Sequence, residues 1–259
     1  MRNLIGVKPI VTLVLFLGLL PTAVSAETPV ESNVDSRLIL AFQVRDSELQ
    51  NWLPAPWQVS SVAAGPWKGA NLFVLFVQNL LSQTPEGKPS ASGGTARYVV
   101  LVVPAKHAPT GEESSFVIRI YTADHGGLPG PYKNSVKAEV RRDLGLRGEN
   151  LAPGAGSDNW EMKETSGGTI VVRLAYQRSV PVRAKIEQKI RSSIEPNFYR
   201  LYRVDQGVEL VKSVPAEVDR LQSYEFRSTV PELSKLFDGS WQLVSITAIP
   251  WYVRQVSLP

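Results

Sequence analysis

Residues 69–78 read GANLFVLFVQ and residues 97–104 read RYVVLVVP. Within them Leu72–Val77 and Val99–Val103 are continuously apolar, which predicts strands at Asn71–Gln78 and Arg97–Pro104 covered on both faces. Residues 116–121 differ, because Phe116, Ile118 and Ile120 alternate with Val117, Arg119 and Tyr121. Alternation of that kind predicts a strand that puts Arg119 and Tyr121 on one face. Outward from these three, apolar runs recur between Gly, Pro, Ser and Asn clusters and predict further strands at Arg37–Val44, Trp57–Ala63, Val136–Arg142, Asn159–Glu164, Thr169–Tyr176, Phe198–Val204, Val208–Val214, Gln222–Thr229 and Ser240–Ile249. The chain therefore reads as all-β or β-dominated α+β: a single antiparallel β-barrel with two or three short helices.

Helical signals are few. Ser47-Glu48-Leu49-Gln50 has capping-box spacing and is stopped by Pro54, and Pro231 suits the first turn of a helix carrying Leu233, Leu236 and Phe237. Residues Val182–Ile194 are ambiguous; Ile186, Ile190 and Ile194 recur every four positions, which favours an amphipathic helix lying on the barrel. The stretches Ser82–Gly94 and Arg147–Asp158 read as loops, and Gly93-Gly94, Gly126-Gly127 and Gly167-Gly168 as hairpin turns.

At the N-terminus Arg2 and Lys8 precede an apolar run from Ile10 to Leu20, followed by Pro21 and by Val24-Ser25-Ala26. This is the pattern of a secretory signal, with cleavage expected after Ala26 and one domain from residue 27 to 259. The expectation is an exported protein, periplasmic or secreted, with no membrane span after cleavage. Loss of Arg2 and Lys8 lowers the formal charge from +4 to +2. With no block of like charges and no basic run interleaved with aromatics, nucleic acid is not an expected partner. There is no cysteine, and the two histidines, His107 and His125, lie in no metal-ligand spacing, so neither a metal nor a cofactor is predicted.

The stretch with most chemistry is residues 121–142, YTADHGGLPGPYKNSVKAEVRR. It presents His125, Tyr132 and Lys133 on a Gly- and Pro-rich loop, with Lys137 on the strand that follows. A lysine becomes a nucleophile when desolvation or a neighbouring cation lowers its pKa, and Lys133 with Lys137 nearby would meet that condition if both were enclosed. On spacing alone, two solvated lysines on an exposed turn and strand are the plainer reading. At the C-terminus Trp251, Tyr252 and Arg254 are either an aromatic surface where Arg254 grips a carboxylate or the anchor that docks the last strand.

The order of features resembles the acetoacetate decarboxylase superfamily. A helix of the type DSELQNWLPAPWQ (46–58) is followed by GANLFVLFVQ, RYVVLVVP, a Thr110-Gly111 hairpin, FVIRIYT (116–122) and a Gly-Pro-Lys loop, together spanning Arg37 to Arg142. The resemblance implies a cone-shaped β-barrel with an enclosed apolar cavity, and a loop lysine that forms a Schiff base with a β-oxo acid; Lys133 is its nearest counterpart. The superfamily's enzymes carry two consecutive lysines after a proline, whereas Pro131 is followed here by Tyr132, Lys133 and Asn134, so only Lys137 is left to lower the pKa. The cavity acid of the enzymes falls at Val99, and their Gly-Arg-Glu motif has no counterpart. Two function classes follow: a barrel that binds a small oxo-acid or apolar ligand without decarboxylating it, or a Schiff-base lyase in which Lys133 attacks a ketone while Arg119 or Arg173 holds the carboxylate. An envelope component recognised by other proteins is a third. Oligomeric state is left open.

Overall fold

A computed structural model describes residues 27–90, 96–123, 132–150 and 152–259. The expected signal segment, the turns expected at Gly93-Gly94 and Gly126-Gly127, and His125 all lie outside the described residues.

Thirteen strands account for most of what is described. They are β1 (Thr28–Gln43), β2 (Trp57–Val59), β3 (Leu72–Gln83), β4 (Ala96–His107), β5 (Glu113–Thr122), β6 (Ser135–Arg147), β7 (Ala155–Glu164), β8 (Thr169–Gln177), β9 (Val182–Ser192), β10 (Tyr199–Ser213), β11 (Val218–Asp219), β12 (Leu221–Ser228) and β13 (Gln242–Leu258). The pairing path β5-β9-β10-β13-β1-β3-β4 is joined at its ends by β4 with β5, so seven strands form a ring of hydrogen-bonded neighbours. A second sheet, β6-β7-β8-β12, branches from β5 through a short contact. Pairing is antiparallel except at two places: Ile120–Thr122 run parallel to Ser135–Lys137, and Ser115–Val117 run parallel to Ile190–Ser192.

The continuous apolar runs follow from this layering. In β3, Leu72, Val74 and Phe76 join the larger core between ring and second sheet, where Trp160, Met162, Ile170, Val172 and Leu174 cover them. The alternate residues Phe73, Leu75 and Val77 face into the ring, as do Tyr98, Val100 and Val102 of β4. One face packs against the second sheet and the other lines the interior of the ring, so both phases of the period-two pattern are apolar.

Four expectations require correction. Residues Val182–Ile194 contain strand β9 rather than a helix. Its inward residues Ala184, Ile186, Gln188 and Ile190 alternate with Arg183, Lys185, Glu187 and Lys189, and a four-residue spacing of isoleucines is also a multiple of two. The two strands expected at 198–204 and 208–214 are one, β10, running through Gly207, where an added Cβ would stand 2.5 Å from Trp251 Nε1. The strand expected at Arg37–Val44 begins earlier, as β1 from Thr28, which pairs with Leu258. A register shift between Leu101 and Val102 puts a bulge in β5, so Ile118 joins the outer core while Ile120 turns into the ring.

The short helix is confirmed as α1 (Asp46–Gln50), but its N-cap is Arg45, without a side-chain capping bond, so Ser47 caps nothing. The segment at Pro231 is a single 3-10 turn, Pro231–Leu233, with Leu233 buried at its end and Leu236 buried beyond it. The Gly167-Gly168 hairpin is present, and both glycines have positive φ (117° and 94°).

Candidate functional site

Inside the ring lies a cavity of about 290 Å³. Ile39, Phe73, Leu75, Val100, Val102 and Val117 supply its apolar wall. At the other side stand three arginines, Arg37, Arg200 and Arg254, among the phenols of Tyr98, Tyr132, Tyr202 and Tyr252.

Strand register assembles this polar side. Along β1 and β13, Asn33 stands opposite Arg254, Asp35 opposite Tyr252 and Arg37 opposite Ile249. Along β10 and β13, Val204 stands opposite Arg254. Arg37 Nη2 donates to Asp35 Oδ2 at 2.5 Å, and Asp35 Oδ1 accepts from Asn79 Nδ2 at 2.7 Å. The guanidinium of Arg37 lies 3.4 Å from the centroid of the Tyr252 ring. Arg200 reaches Glu31 at 3.4 Å. Arg254 donates from Nε and Nη2 to one acceptor, Asn33 Oδ1, at 3.0 and 2.7 Å, and lies over the Tyr202 ring at 4.5 Å.

The hydroxyls of Tyr132 and Tyr202 are 2.5 Å apart. Burial, then the neighbouring Tyr202 phenol, push the Tyr132 hydroxyl well above the usual tyrosine range, and burial, then Asp35, do the same for Tyr98. Both phenols stay protonated wherever the protein is folded near neutrality, as hydrogen-bond donors rather than bases.

No family model matches the chain, and no curated protein matches it. Solved structures do. An enduracididine biosynthesis enzyme, MppR, with HEPES bound aligns with a TM-score of 0.58 at 11% identity, over 94% of this chain and 91% of that one. An acetoacetate decarboxylase-like enzyme from Sphingomonas wittichii RW1 gives a TM-score of 0.56 at 11% identity, over 90% and 94%. The acetoacetate decarboxylase of Legionella pneumophila gives 0.50 at 12% identity, over 90% and 88%. The chain has the acetoacetate decarboxylase-like fold.

Within that fold the predicted residues divide sharply. Tyr132 and Arg254 line the cavity. Lys133 does not: its side chain is 63% exposed, and Nζ bonds Glu195 Oε1 at 2.6 Å on the outside. The backbone explains the difference. Lys133 has φ 54°, and it sits between Tyr132 and Asn134, each buried, so the chain turns inward on either side and the amine points out. Lys137 is exposed on β6. Arg119 pairs with Glu232 at 2.5 Å, and Tyr121 bonds the same carboxylate at 2.6 Å, so the two share a face as expected, but it is the face turned toward the 3-10 turn at Pro231. Arg173 is exposed and pairs with Glu225 of β12 at 2.9 Å. Neither arginine is among the cavity's lining residues.

The lining contains no lysine among the described residues. The residues outside the description include one lysine only, Lys8 of the N-terminal segment. Sequence reasoning missed Arg37, Asp35, Tyr98, Arg200 and Tyr202, and singled out Tyr252 only as part of an aromatic surface or strand anchor. Their signal is an arginine or tyrosine two residues from another inward position, as in Arg200-Leu201-Tyr202 and Tyr252-Val253-Arg254. Two-residue spacing puts each pair on one face of its strand.

Proposed function

We propose that the protein is an exported ligand-binding member of this fold, whose seven-stranded ring is a closed, cone-shaped barrel holding a small oxo-acid or apolar molecule reversibly. It does so without Schiff-base decarboxylation. The observation that carries this reading is the lining: arginines and phenols against an apolar wall, with the Lys133 amine outside and ion-paired. A Schiff-base mechanism needs its amine inside the cavity with the substrate, and the Lys133 side chain lies outside it against Glu195. A cavity of about 290 Å³ is at the lower end of small-molecule sites, which suits a compact ligand. Export rests on the sequence of residues 1–26.

One structure of MppR is a complex with pyruvate, which makes pyruvate a natural probe alongside acetoacetate. The protein is incubated with each acid, reduced with borohydride and weighed intact, while reversible binding is followed by calorimetry. The expected result is unmodified mass with measurable, saturable binding. A reduced adduct mapped to Lys133, accompanied by release of carbon dioxide from acetoacetate, would establish the lyase instead. Secretion is checked by N-terminal sequencing of extracellular or periplasmic material, which should begin at Glu27.

A further inference from the structure

The charges facing the cavity do not cancel. Arg37 is matched by Asp35 at 2.5 Å and Arg200 by Glu31 at 3.4 Å. Arg254 has no carboxylate within 4.0 Å among the described residues; its partner is the neutral amide of Asn33, whose one oxygen takes two of its N–H groups. A guanidinium cannot shed its proton, so half-buried Arg254 presents a cation to a cavity whose opposite wall is apolar. Such a charge is costly unless an anion joins it.

A second donor stands beside it. Tyr132 and Tyr202 share one hydrogen bond, which uses one of their two hydroxyl hydrogens. The phenol that accepts keeps its own hydrogen for a further acceptor, and Arg254 lies over the ring of that same Tyr202.

Beside the apolar side of the cavity lies a recess of about 360 Å³ that shares Val62, Pro104, Ser115 and Gln188 with its lining. Ser60, Ser61, Ser114 and Lys189 rim that recess. A ligand therefore has a cationic side, an apolar body site, and room for a longer tail toward polar residues.

Resting on the binding reading above, we propose that the ligand is a monocarboxylate with an apolar body, its carboxylate against Arg254 and the Tyr132–Tyr202 pair and its tail directed toward the recess rimmed by Ser60 and Ser61. Arg37, already neutralised by Asp35, shapes the site without providing the unmatched charge.

The test compares octanoate with octanamide, which has nearly the same shape and no charge, on the full mature protein by calorimetry. Wild type is expected to bind octanoate at least ten-fold more tightly. Along the straight-chain acids from butanoate to octanoate, each methylene should tighten binding about four-fold, as full transfer of one CH₂ from water implies. Arg254→Met keeps the side-chain stem and removes the charge; it should erase the preference for the acid, so that octanoate and octanamide bind about equally. Arg254→Lys should restore part of it. Equal affinities of wild type for acid and amide, or a preference that survives Arg254→Met, would overturn the anion site while the binding reading stood. The comparison on wild type needs no variant to fold. If neither octanoate, octanamide, pyruvate nor acetoacetate binds, the binding reading falls, and this inference with it.

Discussion

Replacing Asp35 by Ala tests whether the charge arrangement in the cavity is as tightly constrained as its geometry implies. Asp35 is fully buried on β1 and accepts from Arg37 at 2.5 Å and from Asn79 at 2.7 Å, and Arg37 is itself 7% exposed. Removing the carboxylate leaves a buried guanidinium without its counter-charge and a buried amide without an acceptor. Breaking a buried pair by deleting one partner costs about 3–5 kcal/mol, mainly because the remaining charge is stranded. For a domain of this size each kcal/mol moves the melting temperature by roughly 2–4 °C, so a fall of about 6–20 °C is expected. Arg37→Met keeps a stem over the Tyr252 ring and removes the charge. In the double variant no charge is stranded, and its loss should be about 2–3 kcal/mol smaller than the sum of the two single losses. Urea unfolding monitored by tryptophan fluorescence gives all four stabilities. An Asp35→Ala cost below about 1 kcal/mol, or single effects that add to within about 0.5 kcal/mol, would refute the picture of a desolvated pair facing the cavity.

Lys133→Ala should leave ligand affinity unchanged and alter stability by less than about 1 kcal/mol, because the pair it makes with Glu195 is exposed on both sides (63% and 40%). Lys133→Gly relieves a side chain held at φ 54° and should be neutral or stabilising by up to about 1 kcal/mol in thermal unfolding. Alkaline titration at 295 nm should show delayed ionisation of the buried phenols. Burial raises Tyr98, Tyr121, Tyr132 and Tyr224 above their ordinary value of 10.0 and pushes Tyr176 up to about 12. The folded state then holds protons that the unfolded chain has lost, so stability is complete below pH 10 and declines as the pH rises from there through about 12. Phenols that all titrate near pH 10 in the folded protein would contradict their enclosure.

The strands that build the cavity wall were legible because coverage on both faces leaves little choice of residue: Leu72–Val77 of β3 and Val99–Val103 of β4 are apolar at every position, on the face toward the ring and on the face toward the second sheet. Where one face meets water the pattern degenerates. In β9 the isoleucines at 186 and 190 satisfy a strand and a helix equally, and the ring decides, because β5 and β10 both require a neighbour there. Gly207 looks like a break in β10 until Trp251 is seen to occupy the space of its missing side chain. The fold-level resemblance was readable in the order of motifs, yet the residue it singled out, Lys133, is not in the cavity.

That outcome has a local cause with a wider consequence. The loop lysine is adjacent to Tyr132, which does enter the cavity, and at a turn a shift of one residue exchanges inside for outside. Here Tyr132 takes the inward position and its hydroxyl meets Tyr202, so the amine is displaced to the surface, where Glu195 holds it. The positive charge that remains inside comes instead from Arg254, on the last strand, a residue whose place is fixed by its pairing with Asn33 and not by any loop. A guanidinium can grip a carboxylate but cannot release a proton to attack a carbonyl. On the binding reading proposed above, a strand guanidinium in place of a loop amine supplies a group that binds an acid and no nucleophile for its carbonyl.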